Sequence, residues 1–135
     1  MSIFDGSNGR YSVRFAETVE PGETVELTEE VSRDATVERV TVRIYLGAEL
    51  DLRVRPFVTE SQSRRPLVVY QGKQYIDGDN DVYEFALSEP VAGGESIGVE
   101  VENRDGTNSY DFSMTATVDH DGGLNRAVSA LFGGA

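Results

Sequence analysis

The chain has 135 residues, with 24 aspartates and glutamates against 12 basic residues, a net charge of −12 and no cysteine. A domain of this size buries a core without metal or disulfide staples, and the missing thiols exclude disulfide scaffolds, thiolate zinc sites, iron–sulfur clusters and cysteine nucleophiles. The acidic balance argues against nucleic acid as a partner, because a phosphate backbone demands clustered cations.

Along the chain, period-two alternation dominates. Tyr11, Val13 and Phe15 alternate with Arg10, Ser12 and Arg14, and Val25 and Leu27 follow the turn Glu20-Pro21-Gly22-Glu23. Val40, Val42, Ile44 and Leu46 form the next apolar row, then Leu50, Leu52 and Val54. After a polar loop from Glu60 to Pro66 comes a short strand, Leu67 to Tyr70, with an aromatic segment reaching Ile76. Tyr83, Phe85 and Leu87 alternate, then Ile97, Val99 and Val101, and finally Tyr110, Phe112, Met114, Ala116 and Val118. Turn clusters at Asp77 to Asp81, Ser88 to Glu95 and Asn103 to Ser109 separate these rows. Half-buried strands show this period, and about eight of them in regular spacing predict an all-β antiparallel sandwich of the jelly-roll kind.

The period then changes. Leu124, Ala127, Val128, Leu131 and Phe132 recur at helical spacing, followed by Gly133, which predicts a short C-terminal amphipathic helix. Such a helix is below the ~12 to 15 residues that are marginal alone in water, so it must dock. The expected division is a sandwich over residues 1–121 and a Gly122-Gly123 hinge with a docking helix over 122–135. The helix either closes its own sandwich or inserts into a neighbour, and the second reading is preferred here.

Eleven of the 12 basic residues are arginine. Dense carboxylates with almost no lysine suit multimolar salt, where the Debye length falls to about 3 Å or less and like charges stop repelling at range. A halophilic source is therefore expected. Residues 1–70 hold nine arginines against twelve acids and residues 71–135 three cations against twelve, so the positive handles concentrate in the first half. No apolar run approaches 18 residues, and Met1 to Gly6 lacks the regions of a signal peptide, so neither a membrane span nor Sec export is expected.

Several constellations bear on chemistry. Gly94-Glu95-Ser96-Ile97-Gly98 matches the nucleophile pattern G-x-S-x-G, but a glycine turn precedes the serine and a β-branched strand follows, the reverse of a nucleophile elbow; a hairpin turn is expected and no enzyme activity is assigned. Asp77, Asp79 and Asp81 alternate in a glycine-containing loop, as hard oxygen ligands for calcium would, yet the EF-hand spacing is absent, and a solvated turn is the preferred reading. Asp119-His120-Asp121 is a weaker candidate cation site, with a solvated turn at the end of a strand as the preferred alternative. Arg10, Arg14, Arg39, Arg43, Arg53 and Arg55 fall at outward strand positions, and with Arg64 and Arg65 of the polar loop they suggest a guanidinium-rich face for carboxylates of a partner. Local pairing with Glu17, Glu26 and Glu38 is the alternative. Tyr45, Tyr70 and Tyr75 are the candidate stacking platform of a carbohydrate-binding sandwich.

The stretch from Gly94 through Gly98-Val99-Glu100-Val101-Glu102 to Asn103, followed by Asn108-Ser109-Tyr110-Asp111-Phe112-Ser113-Met114, resembles the small jelly-roll virion proteins of tailed viruses infecting haloarchaea. The resemblance implies a non-enzymatic capsid decoration protein, commonly a trimer, that binds the major capsid protein and reinforces the shell. It also implies a virion location after assembly in the cytoplasm of a halophilic host. A tail or baseplate component and a carbohydrate-binding module are the alternatives. The partner contacts expected are Arg39, Arg43, Arg53, Arg55, Arg64 and Arg65 together with Leu124, Val128, Leu131 and Phe132.

Overall fold

A computed structural model describes residues 9–120. Eight strands form in this span: β1 (Arg10–Val19), β2 (Thr24–Glu30), β3 (Ala35–Ile44), β4 (Leu52–Glu60), β5 (Ser63–Pro66), β6 (Asp81–Val91), β7 (Ser96–Asn103) and β8 (Tyr110–Asp119). One sheet has the order β1-β8-β3-β6 and the other β2-β7-β4-β5. Every named pairing is antiparallel. First pairs with last, second with seventh, third with sixth and fourth with fifth. This is the wrapping of one long hairpin into a jelly roll, and it bears out the all-β expectation. The expected helix, with Leu124, Val128, Leu131 and Phe132, lies outside the described residues.

Alternation sets the core. Val13, Val40, Val42, Ile44, Val54, Ile97, Val99, Val101, Phe112, Met114 and Val118 are all buried between the sheets. Each large apolar side chain removed from water contributes about 1.5 to 3 kcal/mol before ordering costs.

Three local expectations are corrected. Leu46 and Leu50 are 75% and 65% exposed rather than inward. The chain leaves β3 after Ile44 and turns through Gly47 at φ 104° and Glu49 at φ 51°, which ends the period-two rule; small Ala48 is the buried plug instead. The fifth strand is not Leu67 to Tyr70 but Ser63–Pro66, inside the segment expected to be loop. A tight turn makes it possible, because Ser61 takes φ 58° and its N–H donates to Glu95 Oε2 at 3.1 Å. Leu67 and Val68 then pack into the core beside the strand. Finally, β6 runs on to Val91, so the turn expected from Ser88 shrinks to the residues just before β7.

Candidate functional site

The register sorts the arginines. Arg10 and Arg14 lie on β1 and Arg39 and Arg43 on β3, on the outer face of the first sheet. Arg53 and Arg55 lie on β4 and Arg64 on β5, on the outer face of the second. The single face expected from alternation is therefore two faces on opposite sides of the sandwich, because alternation tells outward from inward but not which sheet a strand joins.

On the second face the arginines engage a cross-strand ladder. Arg64 bridges Glu26 of β2 and Glu100 of β7, the latter at 2.6 Å, and these hydrogen bonds, Glu26 first, raise its pKa further. Arg55 reaches Glu100 at 3.6 Å and Glu102 at 3.5 Å. Exposed pairs contribute about 0.2 to 1 kcal/mol each, so the ladder orients more than it stabilises. Beneath Arg64, whose guanidinium lies 4.1 Å over the ring centre, Phe57 is buried on what would otherwise be the solvent face. Gly98 directly opposite on β7 makes room, since a Cβ there would stand 2.5 Å from Phe57 Cζ. Arg53 sits 4.6 Å over Tyr75, its Nε buried without a hydrogen-bond partner, and Arg55 and Lys73 flank the same ring at 5.0 and 5.1 Å.

On the first face Arg10 pairs with Glu38 at 3.1 Å and Arg39 with Glu84 at 3.4 Å. Arg43 stacks 4.5 Å over Tyr45. Arg14, Arg43 and Arg53 make no ion pair with a described residue, although acids outnumber bases two to one in the chain. Four cations (Arg10, Arg14, Arg39, Arg43) stand with four carboxylates (Glu38, Glu84, Asp111, Asp119) on this face, and Arg53, Arg55 and Arg64 with Glu26, Glu30, Glu100 and Glu102 on the strands of the other. Both faces are thus at or within one charge of balance, although the chain carries a net charge of −12.

Arg65, expected at a partner surface, instead ties the sheets together. From β5 it reaches Glu89 of β6 at 2.7 Å, Glu60 at 2.5 Å and the Pro90 carbonyl at 2.7 Å. Its position opposite core-facing Val58 directs it to the inter-sheet edge. It forms one wall of a cleft of about 460 Å³ at the end of the sandwich where the β2–β3, β4–β5 and β6–β7 connections meet. The rim is latched: Asp34 Oδ1 accepts the Gly93 N–H at 2.9 Å, and Glu95 accepts Thr59 Oγ1–H at 2.7 Å. Pro90, Val91 and Ala92 supply its apolar wall.

The acidic loop does not converge. Asp77 takes Lys73 Nζ at 3.2 Å, Asp79 Oδ1 accepts the Gly47 N–H at 2.7 Å, and Asp81 accepts the N–H of Val82 at 2.7 Å. Among the described residues no group of three or more acidic or histidine side chains is arranged to hold a metal ion. Asp79 works instead as a latch between two loops. Ser96 opens β7, a strand where a nucleophile elbow requires a helix, while His120 stacks on Tyr11 with ring centres 4.8 Å apart. Nor do the three tyrosines share a platform: Tyr45 and Tyr75 carry arginines, and Tyr70 packs edge-on against Tyr83 and Phe85.

Reading the sequence alone misses a polar knot at the opposite end. Asn103 is buried, and its amide donates to the carbonyls of Val19, Glu20 and Asn108 at 3.1, 3.2 and 2.8 Å. Asp105 accepts N–H groups from Thr107 and Asn108 and the Tyr110 hydroxyl. The Tyr110 bond, then those from Asn108 and Thr107, hold the Asp105 carboxyl well below its ordinary pKa; the same bond pushes Tyr110 up to about 12. The cluster Asn103-Arg104-Asp105-Gly106-Thr107-Asn108 is the one signal for it in the sequence.

No family model matches the sequence, and no characterised protein matches it in sequence comparison. The two four-stranded sheets make the chain a β-sandwich, and solved structures resemble it in fold. The Yersinia pseudotuberculosis-derived mitogen superposes with a TM-score of 0.53 at 10% identity, covering 79% of this chain and 85% of that one. The VP2 subviral particle of infectious bursal disease virus gives 0.43 at 14% identity, covering 84% of this chain and 33% of that one. The Drosophila NLP core gives 0.39 at 9% identity over 78% and 97%. The mitogen likeness establishes shared fold alone.

Proposed function

We propose that the chain is a non-enzymatic structural component of a virus particle, most specifically a capsid decoration protein that docks on the major capsid protein of a virus of a halophilic host. One observation carries this reading: the two sheet faces are at or within one charge of balance on a chain of net charge −12, and Arg14 and Arg43 on one and Arg53 on the other make no ion pair with a described residue. Nearly neutral faces approach a partner without the repulsion that acidic ends impose, and these arginines offer planar contacts to its carboxylates. Keeping the faces neutral while the ends carry the charge also suits a part that packs among identical copies, as a trimer or larger ring. Density-gradient fractionation of the source culture in high salt, probed with an antibody to this chain, tests the proposal. Sedimentation with a large particle supports it, and recovery only in slow soluble fractions refutes it.

A further inference from the structure

We infer that copies of this chain join edge to edge, the free edge of β6 in one copy pairing as an antiparallel strand with the free edge of β1 in the next. The inference rests on that part of the proposed function in which identical copies pack together, and it names the surface through which they do so. Both edges of the first sheet are open among the described residues, since β1 and β6 end its strand order. Hydrogen-bond alternation fixes which backbone groups each edge offers. The His120 N–H donates to the Gly9 carbonyl at 2.7 Å, in register with the β1–β8 pairs, so the odd-numbered residues of β1 face β8 and Arg10, Ser12, Arg14, Ala16 and Thr18 face away. The same count carried through β8 and β3 turns Asp81, Tyr83 and Phe85 of β6 toward β3 and leaves Val82, Glu84 and Ala86 outward. In agreement, the Val82 N–H donates to its neighbour's carboxylate, Asp81 Oδ1, and not to a strand.

One register suits both edges. With Arg14 opposite Glu84, Ser12 meets Ala86 and Ala16 meets Val82, and each of these opposed pairs exchanges two backbone hydrogen bonds. Arg14, which makes no ion pair with a described residue, gains a carboxylate directly across from it. On the inner face the half-buried Phe85 and Tyr83 line up with the buried Val13 and Phe15, so the apolar row runs on from one copy to the next. Symmetric pairings are poorer, because centring two β6 edges sets Glu84 against Glu84 and centring two β1 edges sets Arg14 against Arg14. The second sheet offers no comparable edge: β5 has four residues, and β2 carries Glu26, Glu29 and Glu30. A head-to-tail contact of this kind builds a closed ring or an open row, as the rotation between copies dictates.

The absence of cysteine gives a clean test on the full-length chain. Ser12 and Ala86 stand on edges three strand spacings apart within one copy, about 14 Å, too far for an intrachain disulfide. Ser12→Cys with Ala86→Cys, oxidised with glutathione disulfide, should therefore yield a ladder of disulfide-linked oligomers, each new bond passing two hydrogens to the oxidant. Thr18→Cys with Ala86→Cys, six residues out of register, should cross-link about tenfold more slowly. In light scattering the wild type should be an oligomer, Glu84→Arg a monomer, and Glu84→Arg with Arg14→Glu an oligomer again. A monomeric wild type would overturn the inference whether or not it sediments with particles, whereas an oligomer absent from particles would uphold it and refute the virion reading. Equal cross-linking of the two cysteine pairs, or a charge swap that does not recover the oligomer, would also overturn it.

Discussion

The Phe57–Gly98 contact permits a sharp test of how the second face is built. Replacing Gly98 with alanine puts a methyl 2.5 Å from Phe57 Cζ, 2.8 Å from its Cε1 and 2.9 Å from Thr28 Cγ2. The ring has little freedom, because Arg64 covers it from solvent and Pro66 pairs with Phe57 on the neighbouring strand. Overpacking of this kind costs about 1 to 3 kcal/mol. Removing the ring as Phe57→Ala uncovers the strand and deletes a buried aromatic, at about 3 kcal/mol or somewhat less on a sheet face than in a closed core. In the double variant the clash with the ring is gone and only the contact with the Thr28 methyl remains, so the alanine should cost less and the two losses should fall short of additive by about 1 to 2 kcal/mol. Urea unfolding of the four proteins, with midpoints and slopes compared, reads this directly. Strict additivity would mean that the ring does not lie over Gly98, and the description of this face would be wrong.

Four further outcomes are expected. Arg65→Met should lower stability by about 1 to 2 kcal/mol after discounting for solvent screening and loosen β5 from β6, seen as faster amide exchange over Ser63–Pro66; unchanged exchange would deny its role as an inter-sheet tie. Asn103→Ala should cost about 1 to 3 kcal/mol by stranding three carbonyls, measured by the same urea assay. Because folding lowers the Asp105 pKa, its stabilisation is complete above the unfolded aspartate value and fades as pH falls toward the folded one, so Asp105→Asn should flatten the acid limb of the stability–pH curve. In wild type a tyrosine titrating near pH 12 in ultraviolet absorbance should return toward 10 in that variant. Lowering potassium chloride from molar concentration to about 0.1 M, where the Debye length is near 10 Å, should lower the melting temperature as the acidic ends repel; an unchanged value would remove the halophile argument.

What the sequence revealed and what it hid follow from the range of the forces involved. Alternation at Val40, Val42 and Ile44 or at Phe112, Met114 and Ala116 is local, and it places seven of the strands and more than half of the core, but not Val19, Val31, Ala35, Val37 or Val58. The strand Ser63–Pro66 escaped because its pairing uses backbone and arginine stems rather than apolar side chains. Leu46 and Leu50 misled because hydrophobicity was read through a loop whose path is fixed by Gly47 and Asp79. Asp77, Asp79 and Asp81 shared spacing but not direction, since each meets a different donor. The arginines were correctly read as outward, but whether they shared a face depended on strand order, a property of the whole chain. The tail stands outside the described residues.

The central claim, that the flat faces rather than the acidic ends meet a partner, is tested most directly by charge reversal read on particles. Arg14→Glu with Arg43→Glu should lower the melting temperature only slightly, since neither makes an ion pair with a described residue, and Arg53→Glu, which gives up its place over Tyr75 and faces Glu102, should lower it by several degrees while leaving the protein folded. At least one of the two sets should shift the protein from particle fractions to slow soluble fractions in a high-salt gradient, whereas Glu49→Lys on an exposed loop should not. Retention of both face variants on the particle, or loss of the loop variant in their place, would contradict the account.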